Sequence, residues 1–286
     1  MKTAGAGQAS PNGHYRIRSI DRALTILDAF ASQRPRMSLT DLCEATHLPP
    51  STAYRIAANL VDRGYLAQDS HRGDYWPGLA LIRMGGVALG QLDVREKAAP
   101  ALRDLRNESK ETVHLAALDR RRVIYLEKLE GLHAVGLMSS RVGRTAPAHC
   151  TALGKALLAC GDGDAEEDVL SRKLERFTTR TIIDSGLLRD HLAKVREQGY
   201  ALDMGEHEVD VRCIAAPVRD HSGKTIAAIS VAGPAQRMEV QMRRGLIKDV
   251  VATANRICRE LGYLGDAPRS HLDRSDKTTA ERRNSR

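Results

Sequence analysis

Near the start of the chain, apolar residues recur at helical spacing in three short blocks, and then the period changes to two. In SIDRALTILDAFAS, Ile20, Ala23, Leu24, Leu27, Phe30 and Ala31 share one side of a helix, with Ser19 placed as its N-cap. MSLTDLCEAT predicts a second helix, opened by Ser38 with Asp41 three residues on, a variant of the capping box. The HLPP stretch ends it, because proline cannot continue a helix but suits the first turn of the next. The third helix, STAYRIAANLVDRG, sets Ala53, Ile56, Ala57, Leu60 and Val61 on one face and stops at Gly64. YLAQDSHRGDYWPG then alternates around a polar turn, a β-hairpin with Arg72-Gly73 near its tip. Three short helices and a hairpin predict a winged helix-turn-helix over residues 17–78.

Residues 79–90 read as a linker helix with Gly85-Gly86 in its middle. Leu79, Leu81, Ile82, Met84, Val87 and Leu89 make it too apolar for an exposed spacer, so a face should be buried, most simply against the same segment of a second chain. From 91 to 264, strands and helices alternate. Helices are expected at 95–109, 151–160, 186–198 and 239–261, and strands at 112–118, 123–129, 134–140, 200–204, 211–219 and 225–232. Turns at Asp119–Arg122 and Ser222-Gly223 join neighbouring strands. This pattern predicts an α+β domain with a mostly antiparallel sheet. Residues 1–16 and 265–286 carry little that could be buried and read as disordered ends.

Composition narrows the chemistry. The 286 residues are 42% hydrophobic and 28% charged, the balance of a globular protein. Aromatics are only 3%, too few for base-stacking platforms on single strands. The net charge of +8 is spread along the chain, which permits an anionic partner without demanding one. Five scattered cysteines without a CxxC argue against a disulfide framework or a zinc ribbon and for a reducing compartment. No secretory h-region and no run of about 18 apolar residues is present, so the expectation is a cytoplasmic protein that makes no membrane contact. GxGxxG, Walker and HExxH motifs are absent, and no cofactor or metal is expected. The acids of GDGDAEED (161–168) lack the spacing of a calcium loop. Asp164 capping a helix explains them more simply.

The polar face of the third helix presents Ser51, Thr52, Tyr54, Arg55 and Asn59, side chains suited to base edges and phosphates. Arg72 on the wing is placed for phosphate or the minor groove. The bland alternative is a solvated helix face. In the second domain, a two-residue turn at Ser222-Gly223 would pair His221 with Lys224. It would put Cys213, Ala215, Pro217, Ala228, Ser230 and Ala232 on one sheet face, with Ile214, Val218, Ile229 and Val231 on the other. The first face is nearly all small, leaving volume that either a close helix or a small ligand could fill. The helix beginning near Thr151 offers free N–H groups to an anion, or is simply capped by Thr151. His149-Cys150 and Cys213/His207 raise the alternative of a thiol enzyme acting on a small acid, with an accessory helix-turn-helix domain.

Three runs carry a resemblance: the opening SIDRALTILDAF, LPPSTAYRIAANLVDRGYL (48–66) and TALGKALLA (151–159). The most specific is GYALDMGEHEVDVRCIAAPVRD (199–220), with Gly199, Asp203, Glu206, Cys213-Ile214-Ala215 and Val218. From about Ile17 to Leu264 the chain resembles the IclR family of bacterial transcriptional regulators, departing from its signature at Arg219. The resemblance implies a winged-helix DNA-binding domain, a linker helix and a GAF/PAS-like effector domain. It implies double-stranded operator DNA and a small-molecule effector as partners, the latter a small organic acid or an aromatic. It also implies a homodimer or dimer of dimers that represses or activates a catabolic or transport operon. Carried over residue by residue, it places Asp203, Cys213 and Ser230 at the effector pocket, beside Thr151 and Gly154 at the helix start. Ala232 stands where related regulators have a second serine.

Overall fold

The computed structural model describes residues 17–32, 34–69, 72–90, 93–132 and 140–263. They fall into two compact units, divided between residues 91 and 92. The disordered ends expected at 1–16 and 265–286, and all but the last residue of the strand expected at 134–140, lie outside the described residues.

The first unit begins with α1 (Arg18–Ser32), α2 (Leu39–Thr46) and α3 (Pro50–Asp62). Ser19 is not an N-cap: α1 already includes Arg18, and Ile17 supplies the carbonyl for the amides of Ile20 and Asp21. The start of α2 is as the sequence suggests. Ser38 Oγ accepts from the Asp41 amide while Asp41 accepts from the Ser38 amide, so each satisfies a helix-end donor. Pro50 sits in the first turn of α3, where its missing N–H costs nothing, and Gly64 follows the helix in the left-handed region (φ +74°). The hairpin β1 (Leu66–Gln68) and β2 (Tyr75–Pro77) pairs Leu66 with Pro77 and Gln68 with Tyr75. Ile26, Phe30, Leu42, Ala57, Leu66 and Tyr75 form the core of this unit. The buried stripe of α1 is thus centred on Ile26 and Phe30, while Ile20 and Leu24 are more than half exposed. The unit ends in α4 (Leu79–Gly90).

The second unit is built on a six-stranded antiparallel sheet. In chain order its elements are α5 (Asp93–Ser109), β3 (Thr112–Asp119), β4 (Arg122–Leu129), β5 (Thr145–Pro147), α6 (Ala152–Cys160), α7 (Asp164–Leu170), α8 (Ser185–Gln198), β6 (Ala201–Asp203), β7 (Val211–Arg219), β8 (Thr225–Pro234), α9 (Ala235–Arg243) and α10 (Leu246–Glu260). The strand order is β5-β4-β3-β8-β7-β6. Helices α5 and α10 cover one face, burying Ile214, Val218, Ile229 and Val231, while α6 and α8 pack on the other, against Ala201, Ala215 and Ala228. A single helix over 239–261 does not form, because Gly245 (φ +107°) separates α9 from α10. Nor does Asp164 cap α7: Gly163 holds the N-cap position and Asp164 is the first helical residue.

The β7–β8 register is the one expected along most of its length, with Cys213 opposite Ala232 and Ala215 opposite Ser230. The turn differs. His221 does not pair with Lys224; instead Asp220 and Lys224 close a three-residue loop, with Gly223 at φ +83°. The register shifts after Val218, and this bulge absorbs the extra residue without turning the faces over.

Candidate functional site

In the first unit, α3 buries Ala53 and Ala57 and turns the opposite face outward. Ser51, Tyr54, Arg55 and Asn59 are exposed and Thr52 is half-buried. The Asn59 amide donates to the Arg55 carbonyl (2.8 Å), whereas the Arg55 guanidinium has no carboxylate partner among the described residues. On the wing, Arg72 is exposed and its backbone amide donates to Asp69 Oδ1. Sequence reasoning missed Arg36, whose guanidinium lies 4.6 Å from the centre of the Trp76 ring. The face therefore offers hydroxyls, a carboxamide and cations on a rigid helix and its neighbouring hairpin.

In the second unit, the small-residue sheet face is filled in two ways. Toward Ala215 and Ala228, α6 packs directly on the strands. Toward Cys213, Ser230 and Ala232, the same face borders a cavity of about 280 Å³. Thr151, Asp203, Cys213 and Ser230 all line it. Gly154 does not. Its amide donates to Thr151 Oγ1, and a Cβ there would stand 2.2 Å from the Ala148 carbonyl oxygen, so the glycine is required for packing. Thr151 is the N-cap of α6, and its hydroxyl also donates to the Pro147 carbonyl (2.8 Å).

The cavity has further walls that strand alternation alone did not reveal. His114, on β3, lies opposite Ser230 because β3 pairs with β8, a partnership between segments more than a hundred residues apart. Its Nε2 is 2.9 Å from Ser140 Oγ and its Nδ1 3.4 Å from Ser230 Oγ. Burial drives the His114 pKa down to about 3, with the charge of Lys128 adding to the effect, so the ring is neutral near pH 7. Tyr125 tilts against it at 5.2 Å between ring centres. Phe177, His207, Arg122 and Arg144 complete other parts of the lining.

Asp203 is 3% exposed. Its Oδ1 accepts from the amides of Gly205 and Glu206, and burial raises its pKa against the lowering effect of those donors and of Lys155. Behind the cavity, fully buried Lys155 on α6 pairs with Glu206. The loop fixed by Asp203 is thus also anchored to α6. Neither cysteine is a thiolate. Burial and the neighbouring carboxylates raise Cys213 well above its ordinary value, and Cys150 is likewise pushed up. His149 points its Nε2 to the Glu175 carbonyl oxygen rather than to a thiol. No group of acidic, histidine or cysteine side chains among the described residues is placed to hold a metal.

Comparison with known proteins decides what this pairing of a helical surface and a buried cavity belongs to. Residues 86–259 match the model of the bacterial transcriptional regulator IclR C-terminal domain, and 19–70 match the IclR helix-turn-helix domain. The chain belongs to the IclR family. It is 36% identical over 248 residues to the HTH-type transcriptional regulator XynR of Escherichia coli, covering 86% of this chain and 98% of that protein. It is 35% identical to BhcR of Paracoccus denitrificans, covering 94% and 93%. Among solved structures, the Thermotoga maritima IclR is similar at TM-score 0.67 and 29% identity, covering 86% of this chain and 99% of that one. An IclR homologue from Microbacterium hydrocarbonoxydans, complexed with 4-hydroxybenzoate, matches at TM-score 0.73 and 29% identity, covering 85% and 98%.

This IclR-family protein is an effector-responsive, DNA-binding transcriptional regulator. The enzyme alternative falls, because both domains match regulator models and the relatives above are named as regulators. No helix among the described residues is long and apolar enough to cross a membrane.

Proposed function

We propose that α3 reads operator DNA through Ser51, Thr52, Tyr54, Arg55 and Asn59, with Arg72 on the wing holding phosphate or the minor groove. The effector, a small organic acid or hydroxylated aromatic, occupies the cavity lined by Thr151, Asp203, Cys213 and Ser230. The observation that carries the second part is convergence. Four residues chosen from 151 to 230 in the chain border one cavity, where burial keeps the neighbouring His114 and the Cys213 thiol uncharged near pH 7. A hydroxyl of the ligand can donate to Asp203 Oδ2, because both amides converge on Oδ1. The complex with 4-hydroxybenzoate in a family relative supports the ligand class.

The protein works as a homodimer or a dimer of dimers, in the cytoplasm, on an operon for catabolism or transport. Leu79, Ile82, Met84 and Val87 of α4 are all more than half exposed, and an apolar stripe of that size on one helix is a surface for another chain. The Leu89 side chain lies outside the described residues.

Ser230→Leu tests the cavity. A leucine there fills the space, so the variant binds DNA from upstream of its own gene as the wild type does but no longer releases it on addition of 4-hydroxybenzoate or other small hydroxy acids. Ser230→Ala, which removes a hydrogen bond of about 0.5–1.5 kcal/mol, keeps the response at weaker affinity. A folded Ser230→Leu protein with unchanged release places the effector elsewhere.

A further inference from the structure

His114 stands between the cavity and a cation. Strand pairing sets Ser230 of β8 opposite it on one side of β3 and Lys128 of β4 opposite it on the other. A fourth residue, Ser140, links them. Lys128 Nζ donates to the Ser140 carbonyl (2.9 Å), and Ser140 Oγ lies 2.9 Å from His114 Nε2. On the ring's other nitrogen, Nδ1, Ser230 Oγ lies at 3.4 Å. His114, Ser140 and Ser230 are all buried. Because burial keeps the ring uncharged near pH 7, one of its nitrogens carries a hydrogen and the other only a lone pair. Which is which fixes the direction of both hydrogen bonds.

The charges on either side of the ring decide it. On the Nε2 side stands the Lys128 ammonium, which favours a lone pair facing it. On the Nδ1 side, beyond Ser230, the strand order β3-β8-β7-β6 places Asp203. Its Oδ1 accepts two backbone amides, and a carboxylate there favours a hydrogen directed its way. Both charges put the proton on Nδ1. We propose that His114 is a positioning residue that sets the polarity of the effector site: its Nδ1–H donates to Ser230 Oγ, so the Ser230 hydroxyl keeps its own hydrogen to donate into the cavity. In the opposite tautomer Ser230 would donate to His114 and offer the ligand only an acceptor. The proposal rests on the cavity being the effector site, and it adds which ligand group Ser230 takes. That group is an acceptor oxygen, a carboxylate or carbonyl, while a ligand hydroxyl faces Asp203.

Nitrogen NMR of the unliganded full chain, carrying isotopically labelled histidine, reads the ring directly. The His114 signals are assigned by their loss in His114→Gln. A hydrogen-bearing Nδ1 and a bare Nε2 are expected, and a hydrogen-bearing Nε2 overturns the proposal. Calorimetric titration with 4-hydroxybenzoate supplies a second measurement. His114→Phe, which keeps a ring without a donor, weakens binding about tenfold where Ser230 is present, but under about twofold in the Ser230→Ala background. Any loss from disturbed packing alone is the same in both backgrounds, so equal losses overturn the role of His114. The tautomer is measured without ligand and stands or falls apart from the cavity, which the operator response of Ser230→Leu judges.

Discussion

The reading helix and the effector cavity are made in opposite ways. On α3 the five candidate DNA-binding residues fall within nine positions, are held by one helix, and stand mostly in water. Around the cavity, side chains from His114 to Ala232 arrive from β3, β4, β5, α6, β6, β7 and β8, and His114, Ser140, Thr151, Asp203 and Ser230 among them are buried. A surface group of the first kind can be removed with little effect on stability, since its loss exposes nothing and strands no partner. A buried group of the second kind is part of the fold that positions its neighbours. Changing it moves stability and ligand response together.

Lys155→Met should show this contrast most strongly. It leaves Glu206 as a buried carboxylate whose partner is gone, and Glu206 Oε2 already lacks a hydrogen bond. The expected loss is about 3–5 kcal/mol, read as a lower denaturant midpoint for the second unit. An unchanged midpoint would mean that the Lys155–Glu206 pair does not anchor the loop at 204–206. The next test lies in the first unit, on the exposed apolar residues of α4. Ile82→Glu with Val87→Glu should raise the monomer fraction in sedimentation and weaken operator binding roughly 100-fold or more, because two half-sites would no longer be held by one linked protein. A double variant that sediments and binds as the wild type does would remove α4 from the interface. Arg55→Ala sharpens the comparison from the other side. Operator affinity should fall by about 1–3 kcal/mol with relaxed sequence preference, while the unfolding midpoint stays within about 0.5 kcal/mol of wild type. Gel-shift titration beside chemical denaturation reads both, and undiminished operator affinity would take α3 out of the role of reader.

Local rules make much of the molecule legible in the sequence. Capping at Ser38, the Pro49-Pro50 break, the period of α3 and the alternation along β7 and β8 each involve residues within a few positions of one another, where propensity and hydrogen bonding act directly. Where they failed, the competing contribution was also local but finer: a glycine in the left-handed region at 245, a three-residue loop in place of two at 221–223, and a helix start at Arg18 that left Ser19 inside α1. The family signature put Asp203, Cys213, Ser230 and Thr151 together, and for Gly154 it pointed to a position whose requirement is close approach to Ala148 rather than contact with the cavity.

The sequence by itself determined the winged helix-turn-helix, the parity of the two central strands and the residue types on each face, because side-chain direction follows from helical and strand periods alone. Only the tertiary structure decided that β8 lies between β3 and β7, and therefore that His114 faces Ser230. It also decided that α6 covers one end of the small-residue face and leaves the other bordering a cavity. Pairing between strands distant in sequence is chosen by the packing of the whole domain, in which loop-closure entropy, burial of both faces and the fit of α6 against alanines are satisfied at once. No window of neighbouring residues contains that choice.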